Sequence, residues 1–280
     1  MYCQKIITFA YNYSMHIHKQ EISNFNPASN TLILTTITMG RILYVIYIVL
    51  IFTPLFAIIT ILTAVVAAVG SIIGLERFAT MYPGMVWSKL TIILSLCRIT
   101  IEGRENIPTD KYCVIACNHQ SAFDIWALYG YTHIPFKWVL KGSLSRVPFV
   151  GWACRKCGFI FVDNSSPERA ANVVYMANQV LKNEYHVMIF PEGTRSPDGR
   201  LGKFKKGAFK IAMDTGAPVI PISISGAYQI LSKDDIIPKR GHIRLKIHPQ
   251  IDSTQYPQDV RGLLALSADT RAAIESGIVP

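Results

Sequence analysis

From Ile42 to Leu75 the chain carries no charged residue at all. As one helix this run would extend about 51 Å at about 1.5 Å per residue, well past a hydrocarbon core of about 30 Å. Two complete spans would need about 40 residues plus a turn. The length therefore favours a pair of apolar helices dipping into one leaflet, broken near Pro54, where proline removes a backbone donor. A single tilted span over Leu55 to Leu75 is the other solution. Arg41 and Arg77 flank the run, and a hairpin would set both on one positive-inside face. The expected location is a membrane, with the rest of the chain on its cytoplasmic face.

Composition agrees with a lipid surface. Half of the residues are apolar, and the mean hydropathy is +0.29, high for a soluble protein. Lys and Arg outnumber Asp and Glu by 28 to 18, a formal charge of +10. Such a balance suits anionic headgroups, phosphate-bearing substrates or an acidic carrier protein. Nucleic acid is not the expected partner, because no nucleic-acid motif accompanies the basic residues.

At 280 residues the chain holds one ordinary domain and an appendage. Residues 1–38 show no helical period, cap or signal-peptide pattern. Met39-Gly40-Arg41 reads as a natural beginning, so 1–38 is expected to be a poorly ordered extension. Residues 39–78 are expected to be membrane-associated helices, 79–255 the main domain, and 256–280 closing C-terminal helices. Within the domain, Pro83 to Arg98 reads as a connecting helix with proline in its first turn. Strands are predicted at Ile99 to Glu102, Tyr112 to Cys117, Phe136 to Leu140, Phe159 to Val162 and Val219 to Ser225. His242 to His248 alternates like an edge strand. Helices are predicted from Ser166 to Lys182, over Ala208 to Asp214 and within Gln258 to Ser276. Strands alternating with helices predict an α/β fold, a mixed and mostly parallel sheet flanked by helices on both faces.

Asn118-His119-Gln120-Ser121-Ala122-Phe123-Asp124 sits where a buried strand gives way to a helix. That junction is where α/β sheets present their chemistry. Five residues along one helix would leave His119 and Asp124 about 140° apart, unable to touch. If the helix begins between them, the carboxylate can fold back onto the imidazole Nδ1, leaving Nε2 as a fixed acceptor. This is the His–Asp half of a catalytic triad. The alternative is a helix cap, His119, followed by a first-turn acid favoured by the dipole. The chain contains no G-x-S-x-G elbow, so the proton such a base removes must come from a substrate hydroxyl or from water.

A second block, Phe190-Pro191-Glu192-Gly193-Thr194-Arg195-Ser196, ends another apolar run. From Arg195 to Lys210 the chain carries Arg195, Arg200, Lys203, Lys205, Lys206 and Lys210 against only Asp198. Amides around a glycine turn, with an arginine fork, form a site suited to phosphate. Lys141, delivered to a turn by the strand before it, either contacts phosphate or a developing oxyanion or is a surface lysine.

These blocks resemble those of the glycerolipid acyltransferases, specifically the 1-acylglycerol-3-phosphate acyltransferases. Asn118-His119 with Asp124 is similar to that family's N-H-x-x-x-x-D, and Phe190 to Ser196 to its F-P-E-G-T-R-S. Lys141 to Leu144, Val147 to Gly151 and Gly158 to Asp163 resemble the second block. Ala217 to Gly226 resembles the fourth. The family usually has Arg after the Asp of the second block, where this chain has Asn164; Arg155 or Arg169 can replace it. The resemblance covers roughly residues 80 to 250. It implies transfer of an acyl group from acyl-CoA or acyl carrier protein to the sn-2 hydroxyl of lysophosphatidate, giving phosphatidate. His119 is then the general base and Asp124 its orienting partner. Arg195 and the Gly193-Thr194 backbone bind the acceptor phosphate, Glu192 positions Arg195 or the acceptor, and Lys141 is a secondary contact. Other acceptors, glycerol 3-phosphate or another lysophospholipid, use the same pair, and a thioester hydrolase would turn it on water.

No metal or cofactor is expected beyond the thioester co-substrate. Cys113 with Cys117 and Cys154 with Cys157 mimic zinc spacing, but the first two lie on a buried strand, where cysteine behaves as a small hydrophobe. Unpaired cysteines suit a reducing compartment. His16, His18, His133, His186, His242 and His248 lack partner spacing; His119 alone is a catalytic candidate.

Overall fold

The structure, a computed structural model, describes residues 39–162 and 167–279, with side chains described again from residue 172. Residues 1–38, with His16 and His18, lie outside the described residues, as do Asp163, Asn164 and the side chain of Arg169. Among the described residues, seven strands form one sheet. They are β1 (Arg98–Glu102), β2 (Val114–Cys117), β3 (Phe136–Lys141), β4 (Ile160–Val162), β5 (His186–Ile189), β6 (Val219–Ser225) and β7 (His242–Ile247). Their order is β1-β7-β6-β2-β5-β3-β4. Every neighbouring pair is parallel except β6 with β7. The fold is thus the mixed, mostly parallel α/β sheet that the sequence predicts.

All four residues of β2 are fully buried, as expected of a central strand covered on both faces. Alternation divides them. Ile115 and Cys117 pack with Phe123, Leu128, Phe136 and Met188 on one face. Val114 and Ala116 pack with Val187, Phe209, Ala212 and Leu266 on the other. The first face is covered by α2 (Glu76–Leu94), α3 (Phe123–Tyr131), α4 (Val150–Lys156) and α7 (Ala227–Ile230). The second is covered by α5 (Pro167–Lys182), α6 (Gly207–Thr215) and α8 (Val260–Gly277).

Several boundaries differ from expectation. Pro54 does not break the apolar run: Met39–Ile72 is helical throughout, with a π-helical stretch at Ile48–Phe52. Just ahead of the proline, both the amide and the hydroxyl of Thr53 bond the carbonyl of Ile48. The break falls instead after Ile72. There Gly74 is left-handed and the Leu75 amide returns to the Gly70 carbonyl, a glycine-based helix stop. The expected pair within 42–75 is therefore one helix, whose regular part is α1 (Thr53–Ile72). Leu55–Pro280 forms one compact unit.

The next helix, α2, begins seven residues before the proline expected at its start, and Pro83 lies buried inside it. Proline removes the donor that the Ala79 carbonyl would use. The Cys157 thiol points at that carbonyl instead, at 3.7 Å, while the Tyr129 hydroxyl takes the carbonyl of Thr80. β7 is not an edge strand; it lies between β1 and β6. Its alternating burial reflects one covered and one open face, a pattern that does not require an edge. The closing region is one long helix, α8, capped by Asp259, after a short turn at Ser253–Gln255.

Candidate active site

At its carboxyl end β2 leads into α3, which packs on one face, whereas β5 leads through a long loop into α6, which packs on the other. Because β2 and β5 are hydrogen-bonded neighbours, their chains part at adjacent strand ends. Such a switch point opens a crevice in an α/β sheet. His119 follows β2 by two residues and Phe190-Pro191-Glu192 follows β5 directly, so the two blocks meet there.

Helix α3 starts between His119 and Asp124, as the spacing required. Asp124 is fully buried, and one of its oxygens, Oδ2, accepts from three donors. These are His119 Nδ1 at 2.8 Å, the Gln120 amide at 2.7 Å and the Ser121 amide at 2.8 Å. A carboxylate only accepts, so the imidazole carries its proton on Nδ1 and Nε2 is an acceptor. The ring is held from its face as well. Phe190 stacks on it at 3.9 Å and 8°, and Trp138 stacks behind Phe190 at 5.4 Å. The His119 side chain keeps 15% exposure, enough for Nε2 to reach a substrate.

Glu192 joins the blocks in a way the sequence reading does not foresee. Its Oε1 accepts from the His119 amide at 2.7 Å and its Oε2 from the Gly202 amide at 2.8 Å. Each oxygen thus takes a backbone amide, so Glu192 joins the two loops, and among the described residues no bond from it to Arg195 is present. Burial pushes its carboxyl up, opposed by those two amides. In return the Ser196 amide donates to the His119 carbonyl at 2.8 Å, which puts Arg195 one residue from the histidine loop. Gly193 is left-handed, with φ of 73°, and its amide is used inside the turn on the Phe190 carbonyl. That amide is unavailable to phosphate; glycine's contribution here is conformational. Among the described residues, the Thr194 and Arg195 amides have no hydrogen-bond partner.

Lys141 ends β3 at this same end of the sheet and is exposed. Arg155 bonds the Ser145 carbonyl and so is committed to the turn after β3. His186 and His248 are buried. The first accepts from the Cys113 amide at 3.2 Å; the second meets Ser223 at 2.7 Å.

Three further groups shape the site. Asn118 pairs both ends of its amide with the backbone of Ile224, tying β2 to β6; its place in the first block marks it. Lys205 lies over Gly193, where a Cβ would come within 2.7 Å of its Nζ; the basic run that contains it was the signal. Arg271, on α8, bonds the Leu201 and Gly202 carbonyls, and nothing local in the sequence marks it.

A buried His–Asp pair of this geometry is suited to general acid–base chemistry such as group transfer or hydrolysis. The family model described as Acyltransferase matches residues 98–225, from the start of β1 to the end of β6. The 1-acyl-sn-glycerol-3-phosphate acyltransferase of Saccharomyces cerevisiae is 30% identical over 231 residues, 81% of this chain and 75% of that one. The chloroplastic enzyme LPAT1 of the same name from Arabidopsis thaliana is 36% identical over 172 residues, 61% of this chain and 48% of its own. A crystal structure of the 1-acyl-sn-glycerophosphate (LPA) acyltransferase PlsC from Thermotoga maritima superposes with a TM-score of 0.70. It is 27% identical, covering 85% of this chain and 96% of that chain. The chain belongs to the 1-acyl-sn-glycerol-3-phosphate acyltransferase family. It spans about half the length of the first curated relatives it matches.

Proposed function

We propose that the protein moves an acyl group from a thioester, on coenzyme A or acyl carrier protein, to the sn-2 hydroxyl of lysophosphatidate, yielding phosphatidate. His119 Nε2 takes the hydroxyl proton as the oxygen attacks the thioester carbonyl. Asp124 steadies the imidazolium that forms. Collapse of the tetrahedral intermediate breaks the C–S bond, and the proton passes from Nε2 to the departing sulfur. No acyl-enzyme is needed, because the thioester is already activated.

The observation that carries this reading is the 2.8 Å His119–Asp124 bond on a loop tied to the arginine-bearing block through Glu192 and Ser196. Arg195, with the unpartnered amides of Thr194 and Arg195, binds the acceptor phosphate; Lys205 adds a second cation, and Lys141 is an outer contact. Gly193 shapes the turn that presents them. The acceptor is a lipid, and the reading places the site at the cytoplasmic face of a membrane. In support, Met39–Ile72 is one helix long and apolar enough to cross a bilayer, and from Leu55 on it leaves Ile58, Leu62, Val66 and Val69 exposed.

The test is turnover of labelled acyl-CoA with and without lysophosphatidate, using the full chain in detergent. Labelled phosphatidate is expected only with acceptor, and H119A is expected to abolish it with the fold retained. Phosphatidate formation by H119A would contradict the assignment; fatty acid released without acceptor would make the protein a hydrolase.

A further inference from the structure

Arg271 lies on α8, beyond the matched region, and no part of the reaction above uses it. Its side chain is about two-thirds buried, and its guanidinium meets the basic loop at three points. It donates to the Gly202 carbonyl and to the Leu201 carbonyl at 3.1 Å, and it lies over the Phe204 ring, 5.6 Å from its centroid. Phe204 in turn stacks on Phe209, which is fully buried in the second core. The loop is thus gripped between α8 and α6.

One of these bonds falls on a peptide unit with a second duty. The Leu201 carbonyl and the Gly202 amide belong to the same planar group. Arg271 charges its oxygen end, and its N–H end donates to Glu192 Oε2 at 2.8 Å. The other oxygen of Glu192 accepts from the His119 amide at 2.7 Å. A cation on the carbonyl polarises the peptide and strengthens its N–H as a donor. Gly202 is glycine for the same contact, since a Cβ there would stand 2.7 Å from Glu192 Oε2. The ion pair of Arg271 with Glu275, at 4.0 Å and partly exposed, is too weak to compete.

We infer that Arg271 is a positioning residue for the transfer reaction: through the Leu201–Gly202 peptide and Glu192, it fixes the backbone of His119 and so the aim of the base. It touches neither substrate nor the reacting atoms. The inference rests on the proposed function for its kinetic consequence but not for its structural one, so both are measured.

The experiment compares wild type, R271M and R271K as full chains in detergent. Methionine keeps an apolar stem on Phe204 and loses both donors; lysine keeps a cation that can donate to the two carbonyls. In R271M, hydrogen–deuterium exchange of the peptide bearing the His119 amide is expected to rise about tenfold, while peptides from β6 and β7 stay protected. kcat for acylation of lysophosphatidate is expected to fall about ten- to a hundredfold, as when a base is displaced by about an ångström, with KM for both substrates within about twofold. R271K is expected to restore most of both. Unchanged exchange at His119 in R271M overturns the inference, whatever the activity. So does exchange that rises across the whole sheet, which marks a purely structural arginine, and so does wild-type kcat despite a loosened His119 loop. R271K as impaired as R271M overturns it too. If wild type fails to acylate lysophosphatidate, the proposed function falls, and the exchange comparison alone decides the role of Arg271.

Discussion

Asp124→Asn removes the charge of the carboxylate while keeping an acceptor for the two amides that share Oδ2 with the histidine. The Gln120 and Ser121 amides need an acceptor, which an asparagine carbonyl at the Oδ2 position still supplies. Asp124→Ala would instead strand two buried N–H groups at about 1–3 kcal/mol each, confounding chemistry with folding. What asparagine cannot supply is charge opposite an imidazolium. At 2.8 Å and an effective dielectric of about 20, a full pair is worth about 6 kcal/mol. That attraction exists only once the base has taken its proton, so it lowers the barrier and not the energy of the ground state. At about 1.4 kcal/mol per decade the upper limit is a factor of about 10⁴ in kcat. Some of it remains through the amide dipole, so a loss of 10²–10⁴ is expected. The assay is single-turnover transfer from labelled acyl-CoA to lysophosphatidate at saturating acceptor, with circular dichroism and melting as fold controls. D124N retaining more than a tenth of the wild-type rate in a folded protein would refute the role given to the pair.

Two further substitutions test the fold that carries the site. Burial pulls the His186 pKa down to about 4, and its Nδ1 accepts from the Cys113 amide, so the ring must be neutral. The unfolded chain binds a proton at about 6.5 and the folded one does not until about 4. Stability is therefore whole above about pH 6.5 and falls by about 3 kcal/mol by pH 4. His186→Asn, which keeps an acceptor without the titration, is expected to flatten that slope in urea melts across this range; an unchanged slope would assign it elsewhere. Gly84→Ala places a methyl 1.6 Å from Tyr129 Cε1, where α2 packs on α3. It is expected to cost about 1–3 kcal/mol by overpacking, and an unchanged melting temperature would deny the close approach.

The His119–Asp124 contact was legible because its signal is local: a spacing that fails on a helix and works only across a helix start. β6 was legible for a related reason, since Pro218 and Gly226 fence the run Val219–Ser225, which is buried throughout. What escaped depends on distant partners. Pro83 reads as a helix start because its own sequence cannot show that Cys157 and Tyr129 tend the carbonyls around the proline. The alternation of β7 reads as an edge because burial on one face and absence of a neighbour look alike along a strand. The resemblance gives Glu192 a role toward Arg195 or the acceptor, and nothing local shows that amides ten and seventy-three residues away bond it. Arg271 acts on loop carbonyls about seventy residues earlier, a contact with no local pattern.

The position of Glu192 decides the electrostatics of the loop proposed to hold phosphate. A carboxylate directly before Gly193-Thr194-Arg195 would, if paired with the guanidinium, cancel the charge a phosphate needs and set an anion against it. The structure instead turns that carboxylate inward, 6% exposed, and satisfies both oxygens with amides. Those amides draw on the loops of His119 and Gly202, so the negative charge is used to join the base to the basic segment. Meanwhile the Thr194 and Arg195 amides are left without protein partners, and Lys205 lies over the glycine between them and the acid. Glu192→Gln should consequently weaken catalysis by loosening His119 and should not tighten acceptor binding by removing a negative charge. The measurement is the KM for lysophosphatidate. A lowered KM with kcat intact would mean that the carboxylate faces the substrate after all.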